Sequence, residues 1–100
     1  MYGIGGIKMQ IEYDGKKYKI EEITGPAYRI YNNTVSIVLW MEWKNGGSYF
    51  QIKSVSYRQR TYTAWRYFYK WIQLCREATY IVAKENGLWD YTENTLRKLA

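Results

Sequence analysis

Two dipeptides that favour tight turns, Asp14-Gly15 and Asn45-Gly46, constrain the fold of this chain more than any other feature of its sequence. Both tolerate the positive φ angles of a type I′ turn, whose twist matches that of an antiparallel hairpin. On both sides of each turn, apolar and polar residues alternate with the period of a half-buried strand. The sequence therefore predicts two β-hairpins and an antiparallel sheet.

The register of the first hairpin follows from two independent criteria. Folding about Asp14-Gly15 sets Glu12 opposite Lys17 and Lys8 opposite Glu21, so that opposite charges pair on one face. The same register collects apolar side chains on the other face, namely Met9, Ile11, Tyr13, Tyr18 and Ile20. Because a slip by one residue would exchange the two faces, charge and hydrophobicity select one pairing.

The second hairpin has an equally clear register. A two-residue loop at Asn45-Gly46 sets Met41 opposite Phe50 and Leu39 opposite Ile52, on the face that we expect to be core. The opposite face is predicted to carry Val38, Trp40, Glu42, Tyr49, Gln51 and Lys53. Beyond Lys53 the alternation of apolar and polar residues shifts by one position, so that Val55 and Tyr57 are the next apolar residues. This shift predicts a bulge near residues 53–54 or the end of the strand. Residues 28–31 are predicted as one further short strand.

A long amphipathic helix is predicted to begin after Thr63, a residue type that caps helices, and to end at Asn86-Gly87. One apolar stripe would cover the sheet: Phe68, Trp71, Ile72, Cys75, Thr79 and Val82. A second strip lies beside it: Tyr67, Leu74, Ala78 and Ile81. Two interpretations of this second strip are open. It is buried by the C-terminal tail (Leu88, Trp89, Leu96, Leu99), or it forms a homodimer interface.

Together these elements predict a single α+β domain over residues 1–100. It consists of an antiparallel sheet of about five strands, built from hairpins, with one long helix packed on one face.

The composition excludes several functions. The chain contains no histidine, which removes His-based acid–base chemistry and every His-containing metal site. Phosphate-binding loops and nucleophile elbows do not occur in the sequence either. We therefore expect a non-catalytic protein without a cofactor or a metal. The one cysteine, Cys75, is interpreted as a small buried hydrophobe, and the lack of a readable signal peptide or membrane span predicts a cytoplasmic location.

The excess positive charge is confined to one stretch. The net charge is +6, and no acidic residue occurs between Glu42 and Glu77. That window contains seven cationic residues: Lys44, Lys53, Arg58, Arg60, Arg66, Lys70 and Arg76. It also contains ten of the 19 aromatic residues. Cations that neutralise phosphates, interleaved with rings that stack on unpaired bases at roughly 1–3 kcal/mol each, are typical of a surface for single-stranded nucleic acid.

The sequence thus predicts a non-catalytic protein that binds nucleic acid, single-stranded in this interpretation. The predicted binding residues, expected to converge on one water-facing surface, are Trp40, Tyr49, Lys53, Tyr57, Arg58, Arg60 and Arg66. For Trp40, burial under the first hairpin is an open alternative. Two other interpretations of the whole stretch are also open: a solvated sheet edge that Lys and Arg protect from aggregation, and a structural or protein-binding homodimer.

The order of elements in residues 34–82 is strand, Asn45-Gly46-Gly47 turn, strand, basic-aromatic crossover and amphipathic helix. This order resembles the sheet-plus-helix units of the Whirly, Pur-alpha and positive-cofactor-four families of single-stranded DNA-binding proteins. The resemblance implies a dimer with nucleic acid along a curved sheet, at Trp40, Tyr49, Lys53, Tyr57 and Arg58.

A second likeness is one of composition. Segments rich in Tyr and Trp, such as residues 40–43 and 65–71, occur together with a single cysteine and no histidine. This composition is similar to that of small orphan proteins from viruses of hyperthermophilic acidophilic archaea. The resemblance implies a thermostable viral protein located in the host cytoplasm.

Overall fold

The computed structural model describes residues 8–44 and 47–86, with only the backbone of Lys8. Within these residues there are six strands: β1 Lys8–Tyr13, β2 Lys16–Thr24, β3 Ala27–Tyr31, β4 Val35–Lys44, β5 Gly47–Tyr57 and β6 Arg60–Tyr62. Two 3₁₀ turns, Trp65–Tyr67 and Tyr69–Trp71, lead into helix α1, Ile72–Glu85. Strands adjacent in the chain are adjacent in one antiparallel sheet. This confirms the predicted α+β class, with the helix packed on one face of the sheet.

The first hairpin has the predicted register. Glu12 lies opposite Lys17, and Lys8 lies opposite Glu21. The turn residues Asp14 and Gly15 have φ angles of 53° and 76°, as a type I′ turn requires. The residues of the turn and the apolar face of the hairpin therefore favour the same register in this part of the sheet.

The bulge predicted in β5 is also present. Leu39 lies opposite Ile52, but its neighbour Val38 lies opposite Ser54, so Lys53 is the extra residue. The bulge reverses the alternation of β5 and returns Val55 to the buried face. The predicted turn at Asn45-Gly46 lies outside the described residues, although Met41 pairs with Phe50 as expected.

The sixth strand was not predicted, because the turn that precedes it lacks the usual residues. Arg58 and Gln59 both adopt left-handed conformations, with φ angles of 53° and 65°. Asn and Gly are the residues that favour this geometry, so an Arg-Gln dipeptide gives no turn signal. The resulting hairpin pairs Ser56 with Thr61, whose hydroxyl oxygens are 3.0 Å apart.

The core lies between the inner face of the sheet and α1. Ile20, Ile30, Ile37 and Leu39 from the sheet are completely buried, and so are Leu74, Cys75, Ala78, Thr79 and Val82 from the helix. The hydroxyl of Thr79 donates a hydrogen bond to the Cys75 carbonyl oxygen at 2.7 Å. The polar group of this buried side chain therefore has a partner. The predicted interpretation of Cys75 as a buried hydrophobe is confirmed.

The helix begins later than the sequence predicted. It starts at Ile72 rather than after Thr63, and residues 65–71 form two 3₁₀ turns with no side-chain cap. Aromatic side chains dominate this segment, and they lose χ1 freedom in an α-helix. The helix ends at Glu85, where the backbone N–H of Asn86 donates to the Val82 carbonyl, so the predicted end at Asn86 is confirmed. Gly87 lies outside the described residues.

The second apolar strip of the helix is mostly internal. Leu74 and Ala78 are fully buried in the core, Ile81 is half-buried, and Tyr67 is exposed. An interface made of all four residues would therefore have to open the core of each copy. The homodimer stays a prediction, and the tail residues that were its alternative (Leu88, Trp89, Leu96, Leu99) lie outside the described residues.

Candidate nucleic-acid interface

The residues predicted to bind nucleic acid lie on two surfaces. Trp40, Tyr49 and Lys53 lie at the sheet face that points away from α1. Tyr57 points the opposite way, because it pairs with the buried Val35 and packs against the core. The three arginines occupy the far edge of the sheet: Arg58 is in the β5–β6 turn, Arg60 is in β6, and Arg66 is in the first 3₁₀ turn. The structure therefore does not gather the seven residues on the single surface that was expected.

The outer face carries exposed aromatic rings with cations stacked on them. Trp40 is 45% exposed, so it is not buried under the first hairpin. The Lys53 ammonium lies 3.9 Å from the centre of the Trp40 ring, a distance at which a cation and a π face attract. Trp40 pairs with Gln51, which makes Tyr49 its diagonal neighbour on the same face.

Carboxylates accompany the cations on this outer face. Arg29 forms a salt bridge with Glu21 at 2.8 Å. Glu42 lies directly opposite Tyr49 and pairs with Lys44 at 3.7 Å. A polyanion on this face would meet these carboxylates as well as the cations.

Four of the seven cations of the acid-free stretch lie at the edge formed by β6 and the 3₁₀ turns. We call the exposed cations Arg58, Arg60, Arg66 and Lys70 the basic edge. Within residues 8–44 and 47–86, none of these four forms a salt bridge. Tyr57 lies among them: the Arg58 guanidinium carbon and the Lys70 ammonium are 5.1 and 5.6 Å from its ring centre, and Arg60 is its cross-strand partner.

Two aromatic rings beside the basic edge are left largely in water. Trp65 is 68% exposed and Tyr69 is 63% exposed, the highest values among the large apolar side chains of the described residues. Their ring centres are 5.3 Å apart in an edge-to-face arrangement. Together with Lys70, they are absent from the predicted binding residues, because the segment was assigned to the helix. The density of aromatic residues in 65–71 was the available signal, since one helix stripe could not bury them all.

A groove of about 600 Å³ separates these rings from β5. Its more buried side chains are apolar, namely Phe50, Ile52, Phe68 and Ile72. The exposed rings of Trp65 and Tyr69 and the half-buried Lys53 also line it. Lys53 thus belongs both to this groove and, through its contact with Trp40, to the outer face.

The ionisable groups of the core are held protonated. Burial raises the pKa of the Cys75 thiol to about 12, so the thiolate that acts as a nucleophile does not form near neutral pH. Burial also raises the pKa of Tyr28, with a further contribution from the Glu22 carboxylate. Among the described residues, no group of three or more Cys, Asp or Glu side chains is placed to hold a metal ion.

Neither a family model, nor a curated protein, nor a solved structure matches this chain. No helix in the described part of the chain is both long enough and apolar enough to cross a membrane. What the surface can bind must therefore be inferred from its own charges, rings and backbone groups.

Proposed function

We propose that this protein binds single-stranded nucleic acid, without catalysis, through the basic edge and the exposed rings of Trp65 and Tyr69. One observation carries the proposal: four exposed cations without salt-bridge partners in the described residues lie next to two rings that are each more than 60% exposed. Neighbouring exposed apolar rings of this kind often mark a binding site.

The cations would supply the phosphate contacts. Each phosphate neutralised on a single strand changes the slope of log affinity against log salt by about −0.7. Four contacts give a slope of about −3, so raising the salt concentration from 50 to 200 mM should weaken binding by about 50-fold.

The rings would supply the preference for single strands. Stacking of an unpaired base on an aromatic side chain contributes roughly 1–3 kcal/mol. The bases of a duplex are already stacked, so a duplex would gain only the phosphate contacts. We therefore expect a single strand to bind more tightly than a duplex of the same length.

The outer face supports the same function less well. Trp40 and Tyr49 can also stack on bases, but Glu21 and Glu42 lie on their face of the sheet. The role predicted for Trp40, Tyr49 and Lys53 remains a prediction, which the variants below test separately.

The test is titration of the protein with an oligothymidylate at two salt concentrations, followed by tryptophan fluorescence. Replacing Arg60 and Arg66 by Gln should lower the magnitude of the salt slope by about 1.4. The matched control replaces the exposed Lys17 and Lys19 by Gln, which removes the same charge from β2 and should leave the slope unchanged. Absence of binding at low salt, or equal effects of the two double variants, would overturn the proposal.

A cytoplasmic location belongs to the same proposal, and it is supported by the single free thiol of Cys75. The other function expected from the sequence, a structural or partner-binding homodimer, has less support because Leu74 and Ala78 are buried. A viral source and thermostability stay predictions from composition.

A further inference from the structure

Among the described residues, the edge of β5 that faces away from β4 has a strand partner over only a short part of its length. In the described part of the chain, β6 pairs only with residues 55–57, and no strand pairs with residues 47–54 on that side. The groove beside Trp65 and Tyr69 runs along this unpaired edge, since residues 50–53 form one of its walls.

The hydrogen-bond pattern of the sheet shows which backbone groups face the groove. The N–H of Met41 donates to the Pro26 carbonyl at 2.9 Å, so the backbone groups of Met41 point towards β3. In an antiparallel ladder a residue directs its N–H and C=O to the same side. Phe50 lies opposite Met41 and therefore directs both groups away from β4. Ile52, two residues further and before the bulge, does the same.

The groove thus combines two kinds of recognition. Phe50 and Ile52 each present a main-chain donor beside a main-chain acceptor along one wall. Trp65 and Tyr69 present aromatic rings along the other, and the half-buried ring of Phe68 also lines the groove. The volume of about 600 Å³ lies within the range of small-molecule sites, roughly 300–1,000 Å³.

We propose that this groove binds unpaired nucleobases, whose Watson–Crick edges hydrogen-bond to the main chain of Phe50 and Ile52 while their faces stack on Trp65 and Tyr69. This inference rests on the proposed function and adds to it the part of the ligand that enters the groove. A nucleobase has apolar faces and a row of donors and acceptors along one edge, which is the complement of these two walls. In a duplex that edge is already paired.

Charge complementarity selects this occupant over a second copy of the chain. The groove is bordered by Lys53 and lies next to the basic edge, with no carboxylate between Glu42 and Glu77. Two copies paired through β5 would bring two such cationic edges together, each on a chain of net charge +6. A nucleic acid places its phosphates where the cations are and its bases where the groove is.

The experiment compares three oligonucleotides of equal length by fluorescence anisotropy at low salt. They are oligothymidylate, the same oligomer with every base methylated at N3, and an abasic oligomer. Methylation blocks the donor of the Watson–Crick edge but leaves the ring and the phosphates. We expect the methylated oligomer to bind at least fivefold more weakly, and the abasic oligomer at least tenfold more weakly, with an unchanged salt slope.

Each other outcome has a distinct meaning. Equal affinity for the methylated and unmodified oligomers would overturn hydrogen bonding to the main chain. Equal affinity for the abasic and unmodified oligomers would overturn the base groove and leave the phosphate contacts standing. Failure of all three to bind at low salt would overturn the proposed function itself.

A matched pair of variants tests whether the bases bind in the groove or on the outer face. Trp65→Ala should weaken binding of oligothymidylate at least fivefold and leave binding of the abasic oligomer unchanged. Trp40→Ala removes an exposed tryptophan from the outer face and should change neither. Circular dichroism of both variants checks that they are folded. If Trp40→Ala had the larger effect, the bases would lie on the outer face and the groove would be refuted.

Discussion

The left-handed turn between β5 and β6 gives the sharpest prediction, because it couples stability to binding. Arg58 and Gln59 have φ angles of 53° and 65°, which residues with a β-carbon rarely adopt. Replacing the pair by Asn-Gly, the dipeptide best suited to a type I′ turn, should stabilise the protein. It should also weaken nucleic-acid binding, because Arg58 belongs to the basic edge.

The magnitude follows from the two backbone conformations. A left-handed conformation costs an ordinary residue about 1–2 kcal/mol, whereas Asn and Gly adopt it routinely. The new glycine also loses more entropy on folding, which offsets roughly 0.5–1 kcal/mol. The double variant should therefore gain about 1–3 kcal/mol, and Gln59→Gly alone should gain about 0.5–1 kcal/mol. For a domain of this size, 1 kcal/mol raises Tm by about 4–8 °C.

Thermal and urea denaturation of four proteins test this reasoning: the wild type, Gln59→Gly, the double variant and Asn33→Gly. Asn33 is an exposed residue outside the left-handed region, so glycine there should give no gain. In the binding assay the double variant should lose about 0.7 from the magnitude of the salt slope, and Gln59→Gly should lose nothing. If Gln59→Gly lowers Tm as Asn33→Gly does, the turn stores no strain and the reasoning is refuted.

Three further predictions concern the core and the exposed rings. Burial raises the pKa of Tyr18 above its ordinary value of 10.0 and that of Cys75 from 9.0 to about 12, so the unfolded chain releases these protons first. The stability that these two groups contribute should be fully present below pH 9 and be lost as the pH rises through 9–12, as urea denaturation across that range would show. Leu74→Ala should cost about 2–5 kcal/mol by urea denaturation without changing the oligomeric state in light scattering. An oligomer that dissociates in this variant would show that Leu74 lies in an interface. Trp65→Ala should change the unfolding free energy by less than about 0.5 kcal/mol in the same assay, because its ring is mostly exposed. A larger loss would mean that Trp65 serves the fold rather than a ligand.

The sequence predicted the part of the fold in which local and long-range preferences agree. In the first hairpin the Asp14-Gly15 turn, the charge pairs and the apolar face all require the same register, and the structure has it. The bulge at Lys53 could also be predicted. The apolar residues before and after Lys53 can face the same side of the sheet only if the strand contains one extra residue. In each case two independent signals constrained one geometry.

Prediction failed where one signal was missing or ambiguous. Strand β6 depends on a turn whose residues do not favour it, so pairing of the flanking strands imposes the conformation on Arg58 and Gln59. The start of the helix was ambiguous because the apolar residues of 65–71 fit a helical stripe as well as two 3₁₀ turns. The bulge at Lys53 also reverses the face on which the later residues of β5 lie. Tyr57 faces the helix side, whereas Trp40 faces the outer side.

The features that sequence rules did not predict lie together in the structure. The strained turn at Arg58-Gln59, the unpaired edge of β5 and the exposed rings of Trp65 and Tyr69 all belong to the region that contains the basic edge and the groove. The strained turn and the unpaired edge lower the stability of the isolated chain, and the exposed rings contribute little to it, whereas the turn and register of the β1–β2 hairpin follow local preferences. Proteins depart from local preferences mainly where a ligand or partner compensates for the cost. The concentration of these departures at one edge is therefore an argument for binding there that is independent of charge, and it favours this edge over the outer face of the sheet.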